Sequence, residues 1–194
     1  WHKKDLKKYM VYLEEVQQRD HRKLGRELNL FSLHAEYGAG LVFWHQKLGY
    51  VRRQLEQWWW DLHHQREYWP VYTPHVASEN VFIQSGHLEN YADMIWAPMD
   101  VDGRPYRVKP MNCPGHVTIF NSTRHSYRDL PVRMAELGSV YRYEPSGTLH
   151  GMLRVRGFTQ DDAHIFCTPE QLADEIVDVL KLVHTILSTF GYSY

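Results

Sequence analysis

The stretch RVRGFTQDDAHIF, residues 154–166, decides the fold of this chain. At every second position it carries a polar or aromatic side chain, and these are Arg154, Arg156, Phe158, Gln160, Asp162 and His164. The positions between them are mostly small. Because successive side chains of a β-strand point to opposite faces of a sheet, the pattern predicts a strand with one polar face.

A second alternating stretch, GSVYRYE, lies upstream at residues 138–144. The same period of two puts Val140, Arg142 and Glu144 on one face. A turn-rich segment at residues 145–151 separates the two stretches, so together they predict a β-hairpin.

The polar face of this hairpin has two interpretations. Its arginines could neutralise phosphates, and the ring of Phe158 could stack on a base. Glu144 could accept a hydrogen bond from an exocyclic amine. Alternatively, the face is an ordinary solvated surface with salt bridges. The residues alone leave both interpretations open.

The remaining patterns predict helices at residues 3–28 and at about 45–68. Another helix should start at Pro114, and a last one after a capping box with Thr168 as N-cap. The core stripe expected on that last helix is Leu172, Ile176, Val179, Leu180, Val183 and Leu187. Helices mixed with a hairpin predict an α+β fold, an antiparallel β-sheet flanked by helices. Neither GxGxxG nor GxxxxGK[ST] occurs, so a Rossmann or Walker phosphate site is unsupported.

Composition restricts the class of protein. The 194 residues suggest one domain or a piece of a larger protein, and a hydrophobic content of 43% can support a core. The net charge of −1 gives no global attraction for nucleic acid, so any RNA contact needs a local patch. Two cysteines cannot form a disulfide scaffold, which favours a reducing compartment. No apolar run is long enough to predict a membrane span.

Cys113 and His164 are candidate metal ligands. They lie 51 positions apart (164 − 113), which is not a zinc-finger spacing. Each alone is more often a packing or hydrogen-bonded residue. A catalytic zinc site would require a third protein ligand, which the spacing does not identify.

Several segments together resemble the catalytic core of the threonyl-tRNA synthetase family, a class II synthetase. The most specific are KPMNCPGH (residues 109–116) and RGFTQDDAH (residues 156–164). Further matches are RDHRKLGRELNLF, VFWH, SGHLENY and STFGY. The resemblance runs along almost the whole chain.

This resemblance implies a domain organisation and a partner. Residues 1–30 would be a helical lead-in, and residues 31–194 a class II catalytic core with motifs 1 and 2. The helix at 45–68, with the strand that ends at Pro74, would form a homodimer interface.

The resemblance also implies roles for individual residues. The expected ATP-binding residues are Arg142 for the α-phosphate, Glu144 for the adenine amino group, Arg154 for the outer phosphates and Phe158 for stacking on adenine. The expected residues of the threonine pocket are Met111, Gln160 and Asp162. The expected zinc ligands are Cys113 and His164. His87 is expected to assist transfer to the tRNA ribose, as a catalytic residue beside Arg142.

The implied activity is ATP-dependent formation of threonyl-adenylate and its transfer to the 3′ end of tRNA, with Mg²⁺ accompanying ATP. Zinc would favour threonine over valine, because valine lacks the hydroxyl that would bind the metal. A histidine as third zinc ligand, motif 3, and the editing and anticodon-binding domains are expected outside this sequence. The expected location is the cytoplasm or an organelle matrix.

Two alternatives accompany this interpretation. One is a non-catalytic synthetase-like protein that binds RNA or a regulator, which loss of Arg142, Cys113 or His164 would favour. All three are present. The other is a class II synthetase for a different amino acid, and the pairing of Cys113 with His164 argues against it.

Overall fold

A computed structural model describes residues 2–192. Its helices are α1 (Lys3–Gln18), α2 (His21–Glu27), α3 (Gln46–His64), α4 (Glu79–Gln84), α5 (His87–Asn90), α6 (Cys113–Asn121) and α7 (Leu172–Thr189). Its strands are β1 (Phe31–Leu33), β2 (Val42–Trp44), β3 (Trp69–Pro70), β4 (Val76–Ser78), β5 (Met99–Val101), β6 (Arg104–Val108), β7 (Val132–Tyr141) and β8 (Gly157–Phe166). Among these described helices, none has the length and apolar character needed to cross a membrane.

The central sheet is built on the predicted hairpin. β7 and β8 pair antiparallel over ten residues each, from Val132 opposite Phe166 to Tyr141 opposite Gly157. β3 adds to the other edge of β7 in parallel, which the sequence did not predict. The strand expected to end at Pro74 ends at Pro70 instead. Two smaller antiparallel sheets have the orders β1-β2 and β4-β6-β5. The predicted α+β fold with antiparallel sheets is therefore confirmed.

One face of the hairpin packs against α3 and α7. Trp59 and Leu62 of α3 form a buried cluster with Ala135 of β7 and Leu182 of α7. Trp58 and Trp60 are only partly buried, as expected for three consecutive tryptophans on one helix. Since these helices cover this face, the polar side chains of β8 are left on the opposite face.

The predicted helix at residues 3–28 is wrong in one respect, because it divides into α1 and α2. The carboxylate of Asp20 accepts a hydrogen bond from the backbone N–H of Arg22 at 2.8 Å and caps the start of α2. A side-chain cap satisfies one of the N–H groups that a new helix leaves unpaired, so the break is stabilised locally. α1 buries none of its residues.

The prediction for α7 is wrong in both its start and its core stripe. Gln171, not Thr168, is the N-cap, although its side chain accepts from the N–H of Thr168 at 2.9 Å. Much of the predicted stripe is exposed, including Leu180 at 62%. The helix buries Glu175 and Leu182 instead. Arg133 of β7 pairs with Glu175 through its Nε at 2.7 Å and fixes this rotation of the helix.

Candidate functional site

The pairing register of β7 and β8 places the predicted polar side chains on one face of the hairpin. On β8, Phe158 lies opposite Val140, and Gln160 lies opposite Gly138. Asp162 and His164 follow on the same face, opposite Glu136 and Met134. Residues directly opposite in an antiparallel pair point to the same side of the sheet, so β7 and β8 contribute to one surface.

Arg142 and Phe158 lie together at the open end of this face. The guanidinium carbon of Arg142 is 5.2 Å from the centroid of the Phe158 ring. Its Nε donates a hydrogen bond to the carbonyl of Pro110 at 3.2 Å, and its backbone N–H donates to Arg156 at 2.9 Å. A fixed cation beside a flat ring suits a ligand that has both an aromatic and an anionic part.

The other two arginines of the predicted face are engaged with the hairpin loop. Arg154 pairs with the carboxylate of Glu144, with its Nε and Nη2 each 2.9 Å from Oε2. Arg156 donates from Nε to the backbone carbonyl of Glu144 at 2.9 Å and from Nη2 to Ser146 at 3.2 Å. Arg154 is 57% exposed, so its pairing with Glu144 is accessible to a competing anion.

A cavity of about 1220 Å³ adjoins these residues. Its lining includes all four predicted ATP-binding residues, Arg142, Glu144, Arg154 and Phe158. Of the residues described, those predicted for threonine, zinc and tRNA transfer do not line it. The predicted site therefore consists of two regions. The first extends around the edge of the hairpin, because Leu137 and Thr159 of the helix-covered face also line the cavity, and the second lies on the polar face alone.

The second region surrounds Asp162. Asn112, at the start of α6, donates from Nδ2 to the Asp162 carboxylate at 2.8 Å. The other carboxylate oxygen of Asp162 is 3.8 Å from Nδ1 of His164. Gly138 leaves room for this contact, because a Cβ there would lie 2.2 Å from Nδ2 of Asn112. Gln160 lies opposite Gly138 and is partly buried, as is Met111.

Cys113 belongs to the same region. Burial raises the pKa of the Cys113 thiol, and the negative charge of Asp162 raises it further. Burial also lowers the pKa of His164, although Asp162 acts in the opposite direction. Without a bound metal, these surroundings therefore favour the neutral forms of the Cys113 thiol and the His164 imidazole.

The donor types of Cys113 and His164 fit zinc, since a thiolate and a neutral imidazole are preferred zinc ligands. Binding requires the thiol to lose its proton, which a metal ion drives. Within residues 2–192, no group of three or more His, Cys, Asp or Glu side chains is placed to hold a metal. The described residues thus fit two positions of a zinc site and leave a third protein ligand unassigned.

Four buried residues beneath His164 escaped the sequence analysis. Nδ1 of His116 lies 2.8 Å from Nδ1 of His164, and Nε2 of His116 lies 3.8 Å from Oε2 of Glu136. Thr73 and Lys109 also bind this carboxylate, the backbone N–H of Thr73 at Oε2 and both side chains at Oε1. The sequence does contain a signal for Glu136, because it is the one carboxylate within the strand VRMAELGSV (residues 132–140).

His87 does not line the cavity. It begins α5, and its Nδ1 is 2.7 Å from the hydroxyl of Ser85. The same segment reaches the hairpin through Met94, whose carbonyl accepts from the N–H of Tyr143 at 2.8 Å. The role assigned to His87 stays a prediction.

Comparisons of the sequence with known proteins all indicate the same protein family. A family model described as the tRNA synthetase class II core domain (G, H, P, S and T) matches residues 96–194. The threonine–tRNA ligase of Acidobacterium capsulatum is 54% identical over 190 residues, which is 98% of this chain and 28% of that protein. The threonine–tRNA ligase of Magnetococcus marinus is 51% identical over 189 residues, 97% of this chain and 29% of that protein. The chain therefore spans less than a third of the length of these relatives.

Solved structures have the same fold. The RNA binding domain of threonyl-tRNA synthetase from Cryptosporidium parvum superposes with a TM-score of 0.86 at 39% identity, covering 90% of this chain and 44% of that one. The prolyl-tRNA synthetase of Giardia lamblia has a TM-score of 0.76 at 17% identity, over 87% of this chain and 35% of that one, and shares the fold alone. The resemblance inferred from the motifs is confirmed: the chain belongs to the class II tRNA synthetase core domains (G, H, P, S and T), and within that family it is similar to the threonine–tRNA ligases.

Proposed function

We propose that this chain is the part of a threonine–tRNA ligase that binds ATP and holds threonine for activation. The observation that carries the proposal is the position of the Arg142 guanidinium 5.2 Å from the ring of Phe158, at the edge of a large cavity. The relatives named threonine–tRNA ligase support the choice of amino acid.

In this proposal, ATP binds across the open end of the hairpin. Phe158 stacks on adenine, a contact worth about 1–3 kcal/mol per base. Arg142, oriented by the carbonyl of Pro110, binds the α-phosphate. Glu144 accepts from the adenine amino group, and Arg154 binds the outer phosphates. The pairing of Arg154 with Glu144 must therefore open, and ATP offers a new partner to each side chain.

The first chemical step joins threonine to ATP. A carboxylate oxygen of threonine attacks the α-phosphorus, the bond to the bridging oxygen of pyrophosphate breaks, and pyrophosphate leaves with its electron pair. Arg142 neutralises charge that develops on the α-phosphate, and Mg²⁺ bound with ATP would supply further positive charge. In the second step, a ribose hydroxyl of the terminal tRNA adenosine attacks the activated carbonyl, AMP leaves, and the hydroxyl proton is lost. His87 is the proposed assistant in this transfer.

The threonine pocket lies in the region around Asp162. Met111, Gln160 and Asp162 are its proposed residues, and Asn112 holds the carboxylate of Asp162 in place. Cys113 and His164 would hold zinc together with a third ligand. When bound, zinc would supply open positions for the amino group and hydroxyl of threonine. A site that requires a substrate hydroxyl can reject an analogue without it by about 10⁴–10⁵-fold.

The proposed partners follow from this activity. They are ATP, threonine, tRNA and a second copy of the chain, which would meet α3 and the segment that ends at Pro74. Several apolar side chains there are exposed, including Val51 at 52% and Tyr72 at 78%. Exposed apolar surface of this kind is typical of interaction sites. The proposed location is the cytoplasm or an organelle matrix, where cysteines stay reduced.

ATP–pyrophosphate exchange by the full-length protein that carries this chain tests the proposal. Threonine should support exchange, serine should support it less well, and valine should fail. Valine equal to threonine would contradict the proposed pocket. No exchange with any of the three, together with intact RNA binding, would favour the non-catalytic synthetase-like alternative.

A further inference from the structure

His116 contacts the proposed zinc ligand His164 and has no solvent exposure of its own. Their two Nδ1 atoms lie 2.8 Å apart, and the rings meet edge to face with centroids 4.6 Å apart. An imidazole pair at this distance shares one hydrogen bond, so one Nδ1 carries the proton and the other accepts it. The direction of this hydrogen bond decides which nitrogen of His164 has a free lone pair.

Glu136 favours one direction over the other. Its Oε2 lies 3.8 Å from Nε2 of His116, an atom with no hydrogen-bond partner in the described structure. If His116 carried its proton on Nδ1, the lone pair of Nε2 would face a carboxylate, and two acceptors would repel each other. With the proton on Nε2, a donor faces the carboxylate, and Nδ1 of His116 accepts from His164.

Glu136 is itself held in place as a carboxylate. Thr73 donates to it from the backbone N–H at 2.8 Å and from the hydroxyl at 2.9 Å. The ammonium of Lys109 lies 3.1 Å from the same group. All of these side chains are less than one-tenth exposed, so water competes little for the hydrogen bonds.

We propose that Glu136 and His116 are positioning residues that hold His164 in the tautomer with its proton on Nδ1. In this tautomer Nε2 has the free lone pair, which is the form required of a metal ligand. Ligating histidines commonly donate their other N–H to a carboxylate, a backbone carbonyl or a water, which fixes the ring and its tautomer. Here His116, with Glu136 behind it, takes that position. This inference rests on the proposed function, because it assumes that His164 binds zinc.

We call the series of contacts from Glu136 through His116 to His164 the relay. Zinc affinity of the full-length protein, measured by competition with a chromophoric chelator, tests it. His116→Leu removes the acceptor for His164 and should weaken zinc binding by about 10–100-fold. His116→Asn has nearly the same size as the leucine variant but offers an amide oxygen close to the position of Nδ1. It should lose less than about tenfold, so the difference between the two variants measures the hydrogen bond.

His63→Leu is the matched control. His63 is equally buried, and its Nδ1 donates to the carbonyl of Trp59 at 2.9 Å, away from the proposed site. This variant should leave zinc affinity unchanged even if it lowers stability. Wild-type affinity in His116→Leu, or an equal loss in the leucine and asparagine variants, would overturn the relay. If His116→Leu does not fold, His116→Ala, which also removes the acceptor, replaces it in the comparison with His116→Asn.

Cys113→Ser separates a failure of the relay from a failure of the proposed metal site. If Cys113→Ser lowers zinc affinity while His116→Leu does not, the metal site stands and the relay is wrong. If neither the wild type nor Cys113→Ser binds zinc tightly, the metal site is wrong, and the inference fails with it.

Discussion

The ammonium of Lys109 lies 3.1 Å from the carboxylate of Glu136, and both side chains are nearly inaccessible to solvent. Lys109 also donates to the hydroxyl of Thr73 at 2.6 Å and to its carbonyl at 3.2 Å. This ion pair joins the segment after β3, the loop before α6 and the middle of β7. It lies within the second region of the candidate site, since Glu136 is directly opposite Asp162 in the sheet.

Removing one partner of this pair should be costly. Lys109→Met leaves an uncompensated carboxylate in the interior, and we expect the free energy of unfolding to fall by about 3–5 kcal/mol. The comparison is Lys181→Met, which removes an ion pair to Asp178 on the exposed side of α7. That variant should change stability by less than about 1 kcal/mol. Equal losses in urea denaturation would refute the structural role of the buried pair.

The same carboxylate should make stability depend on pH. Burial alone would raise the pKa of Glu136, but its contacts with His116, Lys109 and Thr73 outweigh this effect and lower the pKa from 4.5 to about 2. A group with a lowered pKa in the folded state stabilises the fold above its ordinary pKa. This contribution should be lost as the pH falls from 4.5 toward 2.

Urea denaturation between about pH 6 and about pH 3 measures this effect. The wild type should lose stability over this range more steeply than Glu136→Gln, which has no carboxylate to protonate. Glu14→Gln on the exposed helix α1 is the control and should keep the steepness of the wild type. A Glu136→Gln curve parallel to that of the wild type would show that the carboxylate does not contribute.

Gly138 should tolerate no side chain. An added Cβ would lie 2.2 Å from Nδ2 of Asn112 and 2.5 Å from Oε1 of Glu136. Gly138→Ala should therefore lower the free energy of unfolding by about 1–3 kcal/mol. Gly49→Ala in α3 meets no atom within 4 Å and should instead raise it by up to about 1 kcal/mol. Thermal denaturation of both variants checks the opposite signs, and a neutral Gly138→Ala would mean that Asn112 moves freely.

The orientation of α7 should depend on Arg133. Its guanidinium binds the buried carboxylate of Glu175 through both Nε and Nη2. Arg133→Met should expose the N-terminal part of α7 to faster amide hydrogen exchange, because the carboxylate would lose its partner. Arg19→Met, which removes a pair to Glu15 on α1, should leave exchange in α7 unchanged. Unchanged exchange in Arg133→Met would mean that apolar packing alone orients the helix.

The hairpin was predictable because a strand repeats every two residues and its faces differ in polarity. The face that carries Arg142 and Phe158 followed from this period alone. Its boundary did not, since β7 ends at Tyr141 and β8 begins at Gly157. Arg142, Glu144, Arg154 and Arg156 therefore all lie beyond the paired strands. There, hydrogen bonds to Glu144 and Ser146 outweigh the local alternation, and no pattern in the sequence reveals them.

Contacts between residues far apart in the sequence explain the other differences between the predicted and the observed structure. The apolar stripe of α7 suggested a buried face, but pairing with Arg133 turns Glu175 inward and leaves Leu180 exposed. The relay through His116 joins α6 to both strands of the hairpin, across 48 positions from His164. A single sequence gives the residue types of such a network but not the three-dimensional proximity that makes it.

The central claim is that the hairpin face binds ATP through Arg142 beside Phe158. The most direct test measures threonine-dependent ATP–pyrophosphate exchange by the Arg142→Ala variant of the full-length protein. Arg128→Ala is the matched control, because Arg128 also lies over a ring, 5.6 Å from the centroid of Tyr127, but outside the cavity. Loss of a charge that stabilises a transferring phosphoryl group costs about 10³–10⁵ in rate. We predict a loss of this order for Arg142→Ala and wild-type exchange for Arg128→Ala. Wild-type exchange in a folded Arg142→Ala variant would contradict the account.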